Sequence, residues 1–155
     1  MPAIAIPLAL LGLVPFVLCA FGAVVADPAS AGHLLLALTD YAALVLGFAG
    51  GVHWGLALPP GSVRANLRFS AGVLPLIAAW IALVLAQTMA PRVALVLLIA
   101  GYLATVLTEH RALRRLLLPP GYVWMRWGFT IVAVVSMLTV LMVLTVRGVG
   151  QTIVF

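Results

Sequence analysis

Tyr41-Ala42-Ala43-Leu44-Val45-Leu46-Gly47-Phe48-Ala49-Gly50-Gly51-Val52-His53-Trp54-Gly55-Leu56-Ala57-Leu58 runs for 18 residues without a charged side chain and stops at Pro59-Pro60-Gly61. A helix crossing a ~30 Å hydrocarbon core needs roughly 20 residues at 1.5 Å rise per residue. This segment alone nearly spans a bilayer. Working outward, four more apolar stretches of similar length fill the rest of the 155 residues. Proline and glycine mark the breaks between them, at Pro59-Pro60-Gly61, Pro91 and Pro119-Pro120-Gly121. The spacing predicts an all-α integral membrane protein, a five-transmembrane-helix bundle with helices at about 4–25, 33–58, 66–87, 92–117 and 122–146. The segment 27–32 reads as the first loop. Pro15 and Pro75 fall inside helices as kinks, which packed membrane helices tolerate. No loop is long enough to be a domain.

Composition fits the same environment. Apolar residues make up 66% of the chain and charged residues 7%, where soluble domains carry about a quarter. The net charge of +5 comes from arginine alone, against Asp27, Asp40 and Glu109. Arginine at helix ends reports membrane topology rather than nucleic-acid binding. Arg64, Arg68, Arg111, Arg114, Arg115 and Arg126 fall on the side shared with the N-terminus, and only Arg92 and Arg147 on the other. The imbalance places the N-terminus in the cytoplasm and the C-terminus outside. Trp54, Tyr122, Trp124 and Trp127 then form an aromatic belt at the cytoplasmic interface. The single cysteine, Cys19, excludes a disulfide within one chain. Val25-Ala26-Asp27 loosely resembles a signal cleavage site, but the segment before it has no basic residue and is too long for a signal core.

Ala43, Gly47, Gly51 and Gly55 recur every four residues, with Gly50 beside them, a small-residue ridge suited to close helix packing. Asp40, Gly47 and Trp54 are seven apart and share a face, bounding a smooth groove with an acid at one end and an indole at the other. His53 lies at its edge. Intramembrane ionisable groups are costly and are paired or line a cavity, so His53 is read as a hydrogen-bonded structural residue or as a proton-relay or ligand contact. Glu109 shares a face with Gly101, Thr105, Thr108 and Ala112 and has no arginine at i±3 or i±4. A contact between Glu109 and His53, with Arg68 or Arg126 reaching in, would satisfy the group, either as a structural clasp or as a site. Asp40 is an interfacial first-turn residue favoured by the helix dipole, or else an acid paired with Arg92 or Arg147. Leu58-Pro59-Pro60-Gly61 returns as Leu118-Pro119-Pro120-Gly121, either as two similar helix stops or as an internal repeat.

Catalytic motifs are absent: there is no HExxH, no GxSxG, no P-loop and no pair of carboxylates at one depth. No cofactor or metal is expected. A bis-histidine haem would require His110 beside His53, and nothing else in the sequence points to haem.

Ile6-Pro7-Leu8-Ala9-Leu10-Leu11-Gly12-Leu13-Val14-Pro15-Phe16, followed by Phe48-Ala49-Gly50-Gly51-Val52-His53-Trp54-Gly55, resembles a family of small membrane proteins without assigned activity. That family includes the mitochondrial transmembrane protein 69. The resemblance covers essentially the whole chain and implies a multi-pass protein of the bacterial inner membrane, or of the mitochondrial inner membrane in a eukaryote. His53 and Trp54 carry over as a signature without a role. The expected function is non-catalytic: an accessory or assembly subunit packing against a larger, energy-transducing membrane complex or forming a homo-oligomer. The rival is a small-molecule or proton-linked binder or transporter working through a groove at Trp54, His53 and Glu109.

Overall fold

A computed structural model describes residues 4–62, 64–88, 90–115 and 117–152, with side chains described as far as residue 146. The described residues form five helices, α1 (Ala5–Val25), α2 (Pro28–Ala57), α3 (Ala65–Gln87), α4 (Pro91–Arg114) and α5 (Pro120–Thr152). Each is long and apolar enough to cross a membrane, which makes this a multi-pass membrane protein. Helices are what the solvent demands, since they satisfy their own backbone polar groups where no water is available.

The α1–α2 connection is shorter than the sequence suggests. Residues 28–32, expected in a loop, form the first turns of α2. Asp27 caps that helix, its Oδ1 accepting from the backbone N–H of Ala29 at 3.1 Å and of Ser30 at 3.2 Å. Pro28 occupies the first helical position, where its missing N–H costs nothing. Hydrogen bonds from Ser30 hold the Asp27 carboxyl below its usual range. The cap is therefore in place above the ordinary carboxylate range and is lost as the pH falls through the lowered value. The other end of α2 breaks at Pro59-Pro60-Gly61, where Gly61 takes a φ of 78° that favours glycine. α5 runs on to Thr152, beyond the expected 146.

α2 is the central element, packing against each of the other four helices, while α1, α2, α3, α4 and α5 adjoin in sequence and α5 closes back on α1. At mid-depth Phe16 is surrounded edge-to-face by Tyr41, Tyr102 and Phe129, at centroid distances of 5.2, 6.0 and 5.8 Å. The two tyrosines satisfy their hydroxyls on facing backbones: Tyr41 donates to Gly12 O at 2.8 Å and Tyr102 to Ala42 O at 2.9 Å. Each bond fixes the depth of one helix against another.

The tightest approach joins α2 to α3. A Cβ on Gly50 would overlap the carbonyl oxygen of Gly72, and a Cβ on Gly72 would overlap the indole of Trp54. The expected ridge of Ala43, Gly47, Gly51 and Gly55 is not one seam. Residues four apart advance by about 40° on an α-helix, so the row winds off the buried face. Ala43 is buried, Gly47 is half-buried against Leu76, and Gly51 and Gly55 face open space. Gly50, seven residues after Ala43, keeps the buried bearing and makes the contact.

The pair Gly50→Ala and Gly51→Ala separates these roles. The first meets backbone that cannot rotate away, and should lower stability by about 1–3 kcal/mol, as overpacking does. The second should stay within ~0.5 kcal/mol of the parent. Thermal unfolding of the two purified variants in one detergent reads the difference.

Candidate functional site

The polar side chains of the spans fall in several separate places. The most enclosed is between α4 and α5, where Arg126 Nε donates to Glu109 Oε2 at 3.2 Å. Glu109 is 0% exposed and Arg126 8%. Of the two arginines expected to reach Glu109, Arg126 does so, because α5 runs antiparallel to α4 and brings its first turns beside the last turns of α4. The guanidinium also lies 5.9 Å from the Phe129 ring centroid, within cation–π range. The Tyr122 side chain also interacts with the Glu109 carboxyl, while Glu109 Oε1, Arg126 Nη2 and the Thr130 hydroxyl, and separately His110 Nδ1, are buried without a hydrogen bond of good geometry among the described residues. Such a half-satisfied cluster has room in its bonding for ordered water.

His53 does not meet Glu109. Its Nε2 lies 3.4 Å from the Thr108 hydroxyl, which itself donates to Thr105 O at 2.7 Å. Thr108 and Glu109 are adjacent on α4 but about 100° apart around it, so His53 on α2 takes the first and Arg126 on α5 the second. His110, about 200° from Thr108, packs on Trp127 at a centroid distance of 6.3 Å. The two histidines therefore meet opposite faces of α4 and do not share a site. Trp54 turns to α3, donating to Phe69 O at 3.1 Å and stacking edge-to-face on its ring at 5.6 Å. Trp54, His53 and Glu109 thus point to three different neighbours.

Arg68 does not approach Glu109 either. Its Nη1 donates to Leu56 O at 2.6 Å and to Ser62 Oγ at 2.8 Å, and Ser62 Oγ donates to the same carbonyl at 2.9 Å. The pair closes the C-terminal end of α2, satisfying a carbonyl that the helix leaves open. Arg68 and His53 nevertheless line one cavity of about 490 Å³ between α2, α3 and α4. Sequence reasoning did not assemble this cavity. Its signal is the basic side count, which says how many arginines share an end but not that they converge.

Asp40 is the outlier. It is not in the first turn, because α2 begins at Pro28, about 18 Å of rise earlier. Its neighbour Tyr41 bonds to Gly12, about 10 Å inside α1, and Ala42 bonds to Tyr102 near the middle of α4. Asp40 therefore sits within the apolar depth of the bundle, and it faces outward. Among the described residues no hydrogen bond or ion pair reaches it. Arg92, expected as a partner, donates instead to Leu144 O at 2.7 Å, and the Arg147 side chain lies outside the described residues.

The clasp has a measurable signature. Arg126→Met leaves a carboxylate buried and unpaired, and should destabilise the protein by about 3–5 kcal/mol. The double variant Glu109→Leu with Arg126→Met should recover most of that loss, because two apolar groups of similar size remove the unpaired charge. Unfolding of the single and double variants in detergent, followed by circular dichroism, tests the pair.

Comparison with known proteins comes down to one family. A family model described as "Protein of unknown function (DUF3429)" matches residues 1–142. No curated protein matches the chain, and no solved structure does. The match spans α1 to α4 and most of the described part of α5, and so includes the Gly50–Gly72 contact, the Glu109–Arg126 clasp and Asp40. The chain belongs to the DUF3429 family of proteins of unknown function.

Proposed function

We propose that this protein is a non-catalytic accessory or assembly subunit that docks through the outward face of α2 onto a helix of a larger membrane complex. The observation that carries the reading is the Asp40 carboxylate, held outward at apolar depth with no hydrogen-bond or ion-pair partner among the described residues. An acid in hydrocarbon is costly and is normally paired or faces protein. A neighbouring helix that supplies a hydrogen-bond donor or a cation removes that cost.

The rest of the face suits a helix as well. Leu36, Asp40, Leu44, Phe48, Gly51 and Gly55 fall within about 120° of one another around α2. Phe48 is 84% exposed, and Gly51 and Gly55 have open space where a Cβ would stand. Small residues next to a large apolar one let a second backbone approach closely and interlock. By the arginine balance the N-terminus is cytoplasmic, and the resemblance to the family of the mitochondrial transmembrane protein 69 supports an inner membrane and an energy-transducing complex.

Purification of the tagged protein from native membranes in mild detergent, with the associated proteins identified by mass spectrometry, tests this. A larger partner should come with the parent chain and with His53→Ala, and should be lost from Asp40→Leu and Gly51→Leu. Both variants, freed of the partner, should unfold like the isolated parent chain, since neither position packs inside it. Recovery of the protein alone or as a homo-oligomer, or a partner retained by both α2 variants, would contradict the reading.

A further inference from the structure

At the end of the bundle where α2 and α4 finish and α3 begins, arginines from three segments converge. Arg64 precedes α3, Arg68 is in its first turn, Arg111 is in the last turn of α4 and Arg115 follows it. With His53 and Thr108 they line the cavity of about 490 Å³, within the ~300–1,000 Å³ typical of ligand sites. Asp27, Asp40 and Glu109 all lie elsewhere, so no carboxylate offsets the charge. Arg68 is committed to the end of α2. The guanidiniums of Arg64, Arg111 and Arg115 donate no hydrogen bond to any described residue. Arg114, by contrast, is on the same end and outside the cavity, as an arginine placed only by topology would be.

Three uncommitted guanidiniums around one space suit an anion with several oxygens. Their planar forks match phosphate in a bidentate manner, which ammonium groups do not. The backbone adds to this field. α3 starts at the cavity with Arg64 as its N-cap, which offers no side-chain acceptor to the first-turn N–H groups.

The cavity does not end at the arginines. A second space of about 190 Å³ shares His53, Ala71 and Thr108 with it and continues down the seam between α3 and α4. Apart from His53, Thr105 and Thr108, its walls are small or apolar, among them Ala78, Gly101 and Ala104, with Leu74 and Pro75. A chamber ringed by arginines that leads into a narrow apolar groove is the shape of an amphiphile.

The geometry points to a bound anionic phospholipid, its phosphate held by Arg64, Arg111 and Arg115 and one acyl chain lying in the α3–α4 groove. Basic pockets between transmembrane helices hold anionic headgroups on these physical grounds. This site is separate from the outward face of α2 and stands whether or not that face has a partner.

Native mass spectrometry of the protein purified in mild detergent, offered equimolar phosphatidylglycerol and phosphatidylcholine with identical chains, tests the site. The parent should retain phosphatidylglycerol in preference, and less of it as the salt concentration rises. The triple variant Arg64→Ala, Arg111→Ala, Arg115→Ala should weaken retention on the order of a hundredfold. Ala104→Phe keeps every arginine and narrows the groove, so it remains informative if the triple variant fails to fold. It should lower phosphatidylglycerol retention without changing the thermal shift given by inorganic phosphate. Equal retention of the two lipids, or retention unchanged in the triple variant, would overturn the proposal. Inorganic phosphate protecting as well as the lipid, with Ala104→Phe inert, would assign the site to a free anion and overturn the lipid.

Discussion

The close approach of Gly50 and Gly72 is the contact on which the arrangement of polar groups depends. Two glycines facing each other bring the α2 and α3 backbones to a distance that any side chain would prevent. That approach lays the Trp54 indole against Gly72 and within reach of Phe69 O. It also brings Arg68 to the last carbonyls of α2 and sets His53 opposite α4. The element Gly50-Gly51-Val52-His53-Trp54-Gly55 works as a joint: Gly50 and Trp54 address α3, His53 addresses α4, and Gly51 and Gly55 are left outward. A Gly-Gly pair followed by a histidine and a tryptophan thus has a geometric reason for its order.

Inside an apolar bundle each polar group needs a local answer, and most have one here. Thr39, Thr105, Thr108, Thr139 and Thr145 bond back to carbonyls three or four residues earlier. Tyr41 and Tyr102 bond to facing backbones, and Glu109 is paired with Arg126. Against that background two features stand out. Asp40 faces outward at apolar depth, and Arg64, Arg111 and Arg115 surround a cavity with no carboxylate. The first belongs to a lateral face and the second to one end of the bundle. Both are places where the folded chain leaves electrostatic work for something else.

The five spans were legible because their signal is length: runs of about 20 apolar residues have few other readings. The start of α2 was not, since Asp27-Pro28 reads equally well as a turn and as a capped first turn. The reading of Asp40 as interfacial, one of its two alternatives, rested on Tyr41–Leu58 nearly spanning alone, and a 30-residue α2 places the acid deeper. The burial of Glu109 followed from its companions Gly101, Thr105 and Thr108, and one of its two expected arginines arrived. Its expected contact with His53 did not form, because side chains one residue apart on α4 serve different helices. The small-residue ridge was visible as spacing, but a four-residue repeat drifts around a helix, and only the partner, Gly72 on α3, shows which glycine is in the seam. The basic cavity was hidden for a similar reason. Its arginines come from separate segments, and a side count carries no convergence.

On the proposed function, the outward face of α2 is covered in the native membrane by another protein. A photo-crosslinking amino acid placed at Phe48, in cells carrying the full-length chain, tests it most directly, with Ile131 and Val135 on the exposed face of α5 as controls. Position 48 should give one protein adduct of fixed mass, abolished by Asp40→Leu, and the α5 positions none. Only lipid adducts at position 48, or the same protein adducts from all three positions, would contradict it.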